Sequence, residues 1–225
     1  MFSKWLFILC IPILVFTASI ALLINSGWLW TAEWQKHDVP RAFADAGLLL
    51  ADSQFQEIAR GFIRYFNSNE EYIDLKVTVN NQAMALFNPQ ETSHFKDVKN
   101  LFRLDYAVLL GTLLYCLTFT LGCIFWQKGK YRPVLARGAV WGGAVTLGIM
   151  ALLGITALVN FQGFWLLFHI ISFTNELWSA EGYMLMLFPG GFWYDMVVYV
   201  AVLTAVIALI VGGVGTWYMV KTRRE

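Results

Sequence analysis

Four long segments without charged residues constrain this chain more than any other feature. They lie between Lys4 and Glu33, Asp105 and Lys128, Arg137 and Glu176, and Asp195 and Lys221. A helix that crosses a hydrocarbon core of ~30 Å needs ~20 predominantly apolar residues, and each segment is long enough. Only 14% of the residues are charged, whereas soluble domains have about 25%. The sequence therefore excludes a water-soluble globular protein and predicts a mainly α integral membrane protein with four transmembrane helices.

The charged stretches between these segments divide the chain. The third segment is too long for one span, so we expect one span followed by an apolar segment at or in the interface. The first exceeds the ~7–15 apolar residues of a signal peptide, so we expect a retained span. The predicted parts are span one 1–25, cap 26–102 ending in the His94 helix, span two 103–126, basic loop 127–137, span three 138–160, external or interfacial loop 161–194, span four 195–220 and tail 221–225.

The distribution of basic residues predicts the orientation. Loops rich in Lys and Arg remain on the cytoplasmic side of a membrane. The loop 127–137 and the tail 221–225 are basic, whereas the loop 161–194 contains no Lys or Arg. Both termini are therefore expected in the cytoplasm and the cap outside the cell. The formal net charge is +1 and no long block of like charge occurs, so no nucleic-acid partner is expected.

Small residues and tryptophans give further local expectations. Gly138 with Gly142, and Ala208 with Gly212, have the spacing that lets membrane helices pack closely. Tryptophans are enriched at membrane interfaces. We therefore expect the tryptophans after span one to lie there: Trp28, Trp30 and Trp34.

The cap is predicted to be a small α+β unit. Apolar residues recur at helical spacing from Phe55 to Phe66, and Ser53–Gln56 has the spacing of a capping box. Alternating apolar residues over 73–79 predict a half-buried strand. Asn80 and Asn81 suit a tight turn, after which 82–87 would return as a second strand.

The first candidate site lies just before span two. Glu91, His94 and Asp97 recur every three residues and so share one helix face. A carboxylate one turn from an imidazole can hold it in one tautomer and raise its basicity. Ordinary ion pairs at a solvated helix start are the alternative explanation.

The second candidate is His169, which lies in a strongly apolar, aromatic segment. Desolvation would keep this imidazole neutral. The alternative is an interfacial histidine with a structural role, bonded to Ser172 or to backbone. The topology brings His94 and His169 to the same outer level, where they could act as a general acid/base pair. We expect His37 to be a surface residue of the cap.

These residues carry a family resemblance. Glu91-x-x-His94-x-x-Asp97, then Phe168-His169 with Asn175 and Trp178, then 187–189 and 192–193, resemble the bacterial lipoprotein intramolecular transacylases. The resemblance extends along essentially the whole chain. It implies a multi-pass enzyme of the bacterial cytoplasmic membrane with an outward cap. Such an enzyme moves the sn-2 acyl chain of a diacylglyceryl-cysteine to the α-amino group of that cysteine, which produces the lyso-form lipoprotein.

The resemblance also implies roles for individual residues. The two catalytic histidines of the family fall on His94 and His169, and no metal or other cofactor is expected. We hypothesise that Glu91 and Asp97 orient His94 and that Asn175 helps to stabilise the oxyanion. The remaining site residues are expected to line the substrate pocket: Trp165, Phe168, Ser172, Phe173 and Trp178. The expected partners are the diacylglyceryl lipoprotein and membrane lipids, and the protein is expected to be a monomer.

Two alternatives belong to other functional classes. A non-catalytic membrane scaffold would bind a partner through its cap, and His94→Asn or His169→Asn would leave its phenotypes intact. A haem or metal carrier would use His94 and His169 as axial ligands and would show a Soret band. Ligands in four-helix membrane cytochromes generally lie within the spans, whereas both histidines flank them here, so we place this alternative last.

Overall fold

A computed structural model describes residues 2–79 and 82–224 of the chain. The helices within this part are α1 Phe2–Ile24, α2 Gly27–Lys36, α3 Val39–Asp45, α4 Asp52–Phe66, α5 Pro89–Phe125, α6 Arg132–Val159, α7 Phe161–Ser172, α8 Tyr183–Leu187 and α9 Gly190–Thr222. Two 3₁₀ turns are formed by Trp126–Gly129 and Leu177–Ser179, and two strands by β1 Lys76–Val79 and β2 Gln82–Ala85. The expected turn at Asn80–Asn81 lies outside the described residues.

The described residues form two compact units. The membrane unit comprises the residues up to Ala21, Leu104–Phe161 and the residues from Val198 onwards. The cap unit comprises Leu22–Arg103 and Gln162–Val197. Every residue proposed for the site lies in the cap unit.

The four expected transmembrane helices are present. Helices α1, α5, α6 and α9 are long and apolar enough to cross a membrane. Such helices satisfy their backbone hydrogen bonds internally, as lipid requires. The structure also makes the His94 helix and span two continuous, as the single 37-residue helix α5. We expected the His94 helix to end the cap at residue 102 and span two to begin at residue 103, whereas the helix continues through this boundary without interruption.

Small residues set the close packing of the membrane unit. Gly138 and Gly142 of α6 lie against the Phe7 and Ile11 side chains of α1. A Cβ on Gly143 would stand 2.8 Å from the carbonyl oxygen of Ala208 in α9. The two small-residue motifs therefore lie at helix–helix contacts, as expected.

Aromatic side chains dominate the core of the cap unit. Trp34, Phe43 and Phe62 are fully buried, and Trp30 is 5% exposed. Of the three tryptophans expected at the membrane interface, Trp30 and Trp34 are therefore core residues, and that expectation is wrong for them. Trp28 alone is exposed, at 74%. The prediction failed because tryptophans just outside a span are typical of a membrane interface, and nothing beside them in the sequence shows which residues will cover them.

Helix α4 carries the predicted apolar stripe, but its cap differs. The helix begins at Asp52, and the backbone N–H of Ala51 donates to Gln54 Oε1 at 3.1 Å. The predicted capping box at Ser53–Gln56 is therefore wrong by two residues. Only half of a capping box is formed, because Gln54 accepts the N–H of Ala51 whereas the Ala51 side chain has no acceptor for a backbone N–H.

The predicted hairpin forms with shorter strands. Strands β1 and β2 are antiparallel, with Lys76 opposite Ala85 and Val79 opposite Gln82. Beyond the ladder, the Leu86 N–H donates to the Leu75 carbonyl at 2.8 Å. Leu86 is 1% exposed, which fixes the point from which the chain continues into α5.

Candidate active site

The first turn of α5 places His94. Asn88 caps the helix, since its Oδ1 accepts the N–H groups of Gln90 at 2.9 Å and Glu91 at 3.0 Å. Pro89 occupies the first helical position, where its missing N–H costs no helical bond. One turn later the side chain of His94 is buried, at 7% exposure. His94 thus lies in the cap unit, ahead of the span predicted at 103–126.

Helix α7 presents His169 on its one buried face. The imidazole is 7% exposed, whereas its neighbours Ile170 and Ile171 are 63% and 76% exposed. His169 Nδ1 lies 2.8 Å from the carbonyl oxygen of Trp165. A carbonyl oxygen can only accept, so Nδ1 carries the proton and Nε2 is the acceptor nitrogen of the neutral ring.

The two imidazoles meet on one aromatic ring. The centroid of Phe173 lies 5.0 Å from that of His94 and 5.7 Å from that of His169. Residues that are 75 positions apart in the sequence are therefore brought together, as the topology predicted.

The same proximity changes their titration. Burial, followed by repulsion from His169, lowers the pKa of His94 to about 4, while the charge of Asp97 acts in the opposite direction. Burial also lowers the pKa of His169, against the raising effect of its bond to Trp165. Both rings are therefore neutral at neutral pH.

The expected aromatic residues surround His169. Its ring centroid lies 4.8 Å from those of Trp165 and Trp178 and 5.3 Å from that of Phe168. Trp165 in turn stacks on Trp193 at 4.9 Å, a residue that was not assigned to the pocket from sequence. Ser172 lies half-buried at the end of α7, and the bond of the imidazole goes to the Trp165 carbonyl.

His94 carries an unsatisfied polar atom. Its Nδ1 is buried and has no hydrogen-bond partner within residues 2–79 and 82–224. About 90% or more of buried polar groups in proteins have a partner. The unpartnered Nδ1 of His94, close to the second imidazole, is therefore a candidate for a hydrogen bond to a bound molecule.

Asp97 is linked to the loop that follows α7. Asn175 Nδ2 donates to Asp97 Oδ2 at 2.9 Å, and Asn175 Oδ1 accepts the N–H of Leu177 at 3.0 Å. Asp97 is close enough to His94 for its charge to raise the pKa of that imidazole. The orienting role of Asp97 and the oxyanion role of Asn175 stay predictions, and the observed role of Asn175 is to hold Asp97.

The carboxylate of Glu91 accepts hydrogen bonds from two backbone N–H groups. Within the described residues it has no hydrogen bond to the imidazole of His94. Its side chain is buried, Oε2 accepts the N–H of Asn88 at 2.8 Å, and Oε1 accepts the N–H of Met184 at 2.6 Å. A Cβ on Gly182 would overlap the Glu91 carboxylate, so a glycine is required there. The orienting role of Glu91 stays a prediction, and its observed contacts join the start of α5 to the start of α8.

The structure contains a second cluster of charged residues, which the sequence did not predict. His37 Nε2 lies 2.6 Å from Asp195 Oδ2 and 3.4 Å from Glu33 Oε2, so His37 is not the surface residue that we expected. These three side chains offer donor atoms within 4.8 Å of one another, as a metal site would. Lys36 Nζ, however, lies 2.8 Å from Asp195 Oδ2 and supplies the positive charge there. The i,i+4 spacing of Glu33 and His37 was the available signal.

Comparison with solved structures places the fold. The structure of the membrane integral lipoprotein intramolecular transacylase Lit from Bacillus cereus matches with a TM-score of 0.80 at 15% identity, covering 100% of this chain and 97% of that one. A variant of the same enzyme with a histidine-to-alanine mutation matches with a TM-score of 0.73 at 15% identity, over 100% and 95% of the two chains. At this level of identity the likeness shows a shared mainly α membrane-integral fold.

The sequence of this chain is also similar to one relative and to one family model. An uncharacterized protein of Aquifex aeolicus (strain VF5) is 24% identical over 127 residues, which are 56% of this chain and 54% of that protein. The chain thus spans about half the length of this relative. The family model described as lipoprotein intramolecular transacylase Lit matches residues 5–193. Since that match includes both histidines and most of the chain, the protein belongs to the Lit family of lipoprotein intramolecular transacylases.

Proposed function

We propose that this protein transfers the sn-2 acyl chain of a diacylglyceryl-cysteine lipoprotein to the α-amino group of the same cysteine. Membership of the Lit family supports the reaction class. The observation that carries the proposal is the pair of buried imidazoles on Phe173. Within the described residues His94 Nδ1 has no partner, and it is available to a substrate atom.

The reaction needs one proton to move and none to be consumed. The amine nitrogen attacks the ester carbonyl and forms the new N–C bond, after which the C–O bond to glycerol breaks. The proton that leaves the nitrogen must reach the glyceryl oxygen. Two neutral imidazoles suit this balance, because one accepts the amine proton while the other donates a proton to the leaving oxygen.

The hydrogen bond to Trp165 supports one assignment of the two roles. It holds the proton of His169 on Nδ1, so Nε2 is the acceptor for the amine proton. His94 then donates to the leaving oxygen. Transfer of one proton from His169 to His94 restores both rings.

Placement of the two ends of the substrate supplies the rest of the catalysis. No protein nucleophile is required, since donor and acceptor belong to one molecule, but they must be held at the reacting distance. Orientation of this kind is worth ~7–11 kcal/mol in intramolecular reactions. The stacked rings of Phe168, Trp165 and Trp193 form a stiff wall beside His169 and suit this task.

We place the reaction at the external face of the bacterial cytoplasmic membrane. The basic loop 127–137 and the tail support cytoplasmic termini. The exposed apolar residues of α7 are Leu166, Leu167, Ile170 and Ile171. Such a face suits burial at the lipid boundary, with the acyl chains of the substrate beside it. We expect the enzyme to act as a monomer.

The test is an acyl-location assay on the purified protein. A synthetic diacylglyceryl lipopeptide is incubated with it, and fragmentation in the mass spectrometer locates each acyl chain, since the transfer conserves mass. We expect one chain on the α-amino group with the wild type and none with His94→Asn or His169→Asn. Product formation by both variants at the wild-type rate would contradict the roles proposed for the histidines, whereas absence of product with the wild type would favour the scaffold alternative. A Soret band would favour the haem alternative.

A further inference from the structure

A polar cleft borders the loop whose aromatic residues contact both imidazoles. It has a volume of about 510 Å³, within the range of ~300–1,000 Å³ that small-molecule sites occupy. Five polar residues line it, with two apolar residues of the loop between them: Gln90, Asn175, Glu176, Ser179 and Glu181. All of them lie in the cap unit.

The cleft and the imidazole pair share one wall. Asn175 lines the cleft and at the same time donates to Asp97 at 2.9 Å. Trp178 lies between two lining residues of the same loop, and its ring packs on His169 with centroids 4.8 Å apart. Only this loop therefore separates the histidines from the cleft, so a molecule that reacts at the histidines is able to extend into the cleft.

The cleft walls are fixed and electronegative. The Glu181 carbonyl accepts Asn88 Nδ2 at 3.1 Å, and Ser179 Oγ donates to the Glu176 carbonyl at 2.8 Å. The carboxylates of Glu176 and Glu181 are exposed. No Lys or Arg occurs in the sequence between Arg137 and Lys221, so nothing basic on this segment neutralises them.

We infer that this cleft binds the polypeptide that follows the lipidated cysteine and that it favours cationic side chains there. The inference rests on the proposed function, which supplies a substrate with two acyl chains, an amine and a peptide. Acyl chains do not suit a carboxylate-lined cleft, because polar groups without partners are costly to bury. The peptide brings N–H donors and side-chain charge, which match the acceptors of Gln90, Glu176 and Glu181. A phosphate headgroup would be repelled by the same carboxylates.

The experiment compares lipopeptides that share one lipid and differ in the two residues after the cysteine. These are Lys-Lys, Ser-Ser and Glu-Glu, and kcat/KM is measured for each by the acyl-location assay. Since exposed ion pairs contribute modestly, we expect wild-type kcat/KM for Lys-Lys to exceed that for Glu-Glu by about tenfold. Raising the ionic strength from ~0.01 M to ~1 M shortens the Debye length from ~30 Å to ~3 Å and should remove the difference.

Charge variants locate the effect in the cleft. Glu176→Gln with Glu181→Gln should reduce the ratio toward one, and Glu176→Lys with Glu181→Lys should invert it. Glu57→Lys is the matched control, since Glu57 is an exposed carboxylate of α4 that does not line the cleft. This control should leave the ratio unchanged. Thermal unfolding of each variant shows that it is folded.

The failures are distinguishable. Transacylation of all three peptides at equal rates by the wild type would overturn the inference and leave the proposed function intact. An equal shift of the ratio by Glu57→Lys would also overturn it, because the effect would then come from overall charge. Absence of product from every peptide would contradict the proposed function itself.

Discussion

The membrane unit and the cap unit bury polar groups in opposite ways. In the membrane unit, Thr204 Oγ1 donates to Ser19 Oγ at 3.0 Å, and both side chains are fully buried and uncharged. The cap unit buries ionisable groups, namely Glu33, Glu91, His94, Lys99 and His169. Lys99, for instance, donates to Ser68 Oγ at 3.1 Å and lies 4.1 Å from the centre of the Tyr65 ring.

This difference indicates that the polar groups of the membrane unit contribute to stability, whereas those of the cap unit include the candidates for catalysis. Glycines let the helices of the membrane unit approach closely, and neutral hydroxyls add weak bonds. In the cap unit, Glu91 and Lys99 have partners, whereas His94 Nδ1 has none within the described residues. A buried ionisable group without a full set of bonds is a candidate for catalysis. The predictions that follow test this separation, starting with the largest expected effect.

Replacing either histidine should remove activity without unfolding the protein. We expect His94→Asn and His169→Asn each to lower kcat/KM by about 10²–10⁴-fold, the contribution typical of general acid/base groups. No hydrogen bond of the His94 side chain is seen within the described residues, so His94→Asn breaks none of them. The Tm of this variant should therefore be close to that of the wild type. A loss of activity below tenfold in both variants would contradict the assignment.

Acid should destabilise the cap unit through the same histidine. Because the pKa of His94 falls from 6.5 to about 4 on folding, the unfolded chain binds more protons between these values. The free energy of unfolding should therefore decrease as pH falls through this window, by about 3 kcal/mol. Unfolding monitored at several pH values checks this. His94→Asn should flatten the profile, and an unchanged slope in this variant would contradict the cause.

Removal of the Glu91 carboxylate should destabilise the cap unit. Glu91→Ala leaves the N–H groups of Asn88 and Met184 without their acceptor, at about 1–3 kcal/mol for each buried donor. We expect a clearly lower Tm and faster hydrogen exchange in α8. Gly182→Ala, which forces a Cβ into the same carboxylate, should have a similar effect. Wild-type exchange rates in both variants would show that the contact is dispensable.

Adding one methyl group should separate packed from lipid-facing glycines in the membrane unit. Gly142→Ala places a Cβ against Ile11, and overpacking of this kind costs about 1–3 kcal/mol. Gly148→Ala is the control, since a Cβ there meets nothing within 4 Å. The first variant should lower the Tm, and the second should leave it unchanged or raise it. Equal effects would contradict the packing described for α6.

The buried hydroxyl pair should contribute least. A double-mutant cycle with Ser19→Ala and Thr204→Val is expected to give a coupling of about 0.6 kcal/mol, as in other membrane helices. A coupling of several kcal/mol would mean that the membrane unit, like the cap unit, depends on its polar contacts.

Much of the fold could be predicted because its cause is local. A segment without charge that is long enough to cross lipid has few alternatives to a helix, so α1, α5, α6 and α9 follow from charge positions alone. The apolar stripe from Phe55 to Phe66 likewise predicts helix α4 from its spacing alone. The helix face of His94 and the apolar segment around His169 indicated the two histidines, and the family resemblance then implied a catalytic role for both.

The errors concern contacts between distant segments. Nothing near Trp30 or Trp34 indicates that α4 will cover them, so they resembled interfacial residues. His37 becomes half-buried because Asp195, 158 positions later, lies 2.6 Å from it. The bond from the Met184 N–H to Glu91 was likewise not predicted, because the two residues are 93 positions apart. Spacing within one helix cannot report such partners.

A crossover experiment tests the central claim most directly. Two lipopeptides of different sequence, one of them with an isotopically labelled sn-2 acyl chain, are mixed with the wild-type protein, and fragmentation locates the label. We predict that the label moves to the α-amino group of its own peptide and never to the other. Label on the second peptide, or retention of both chains on glycerol, would contradict an intramolecular transfer at the imidazole pair.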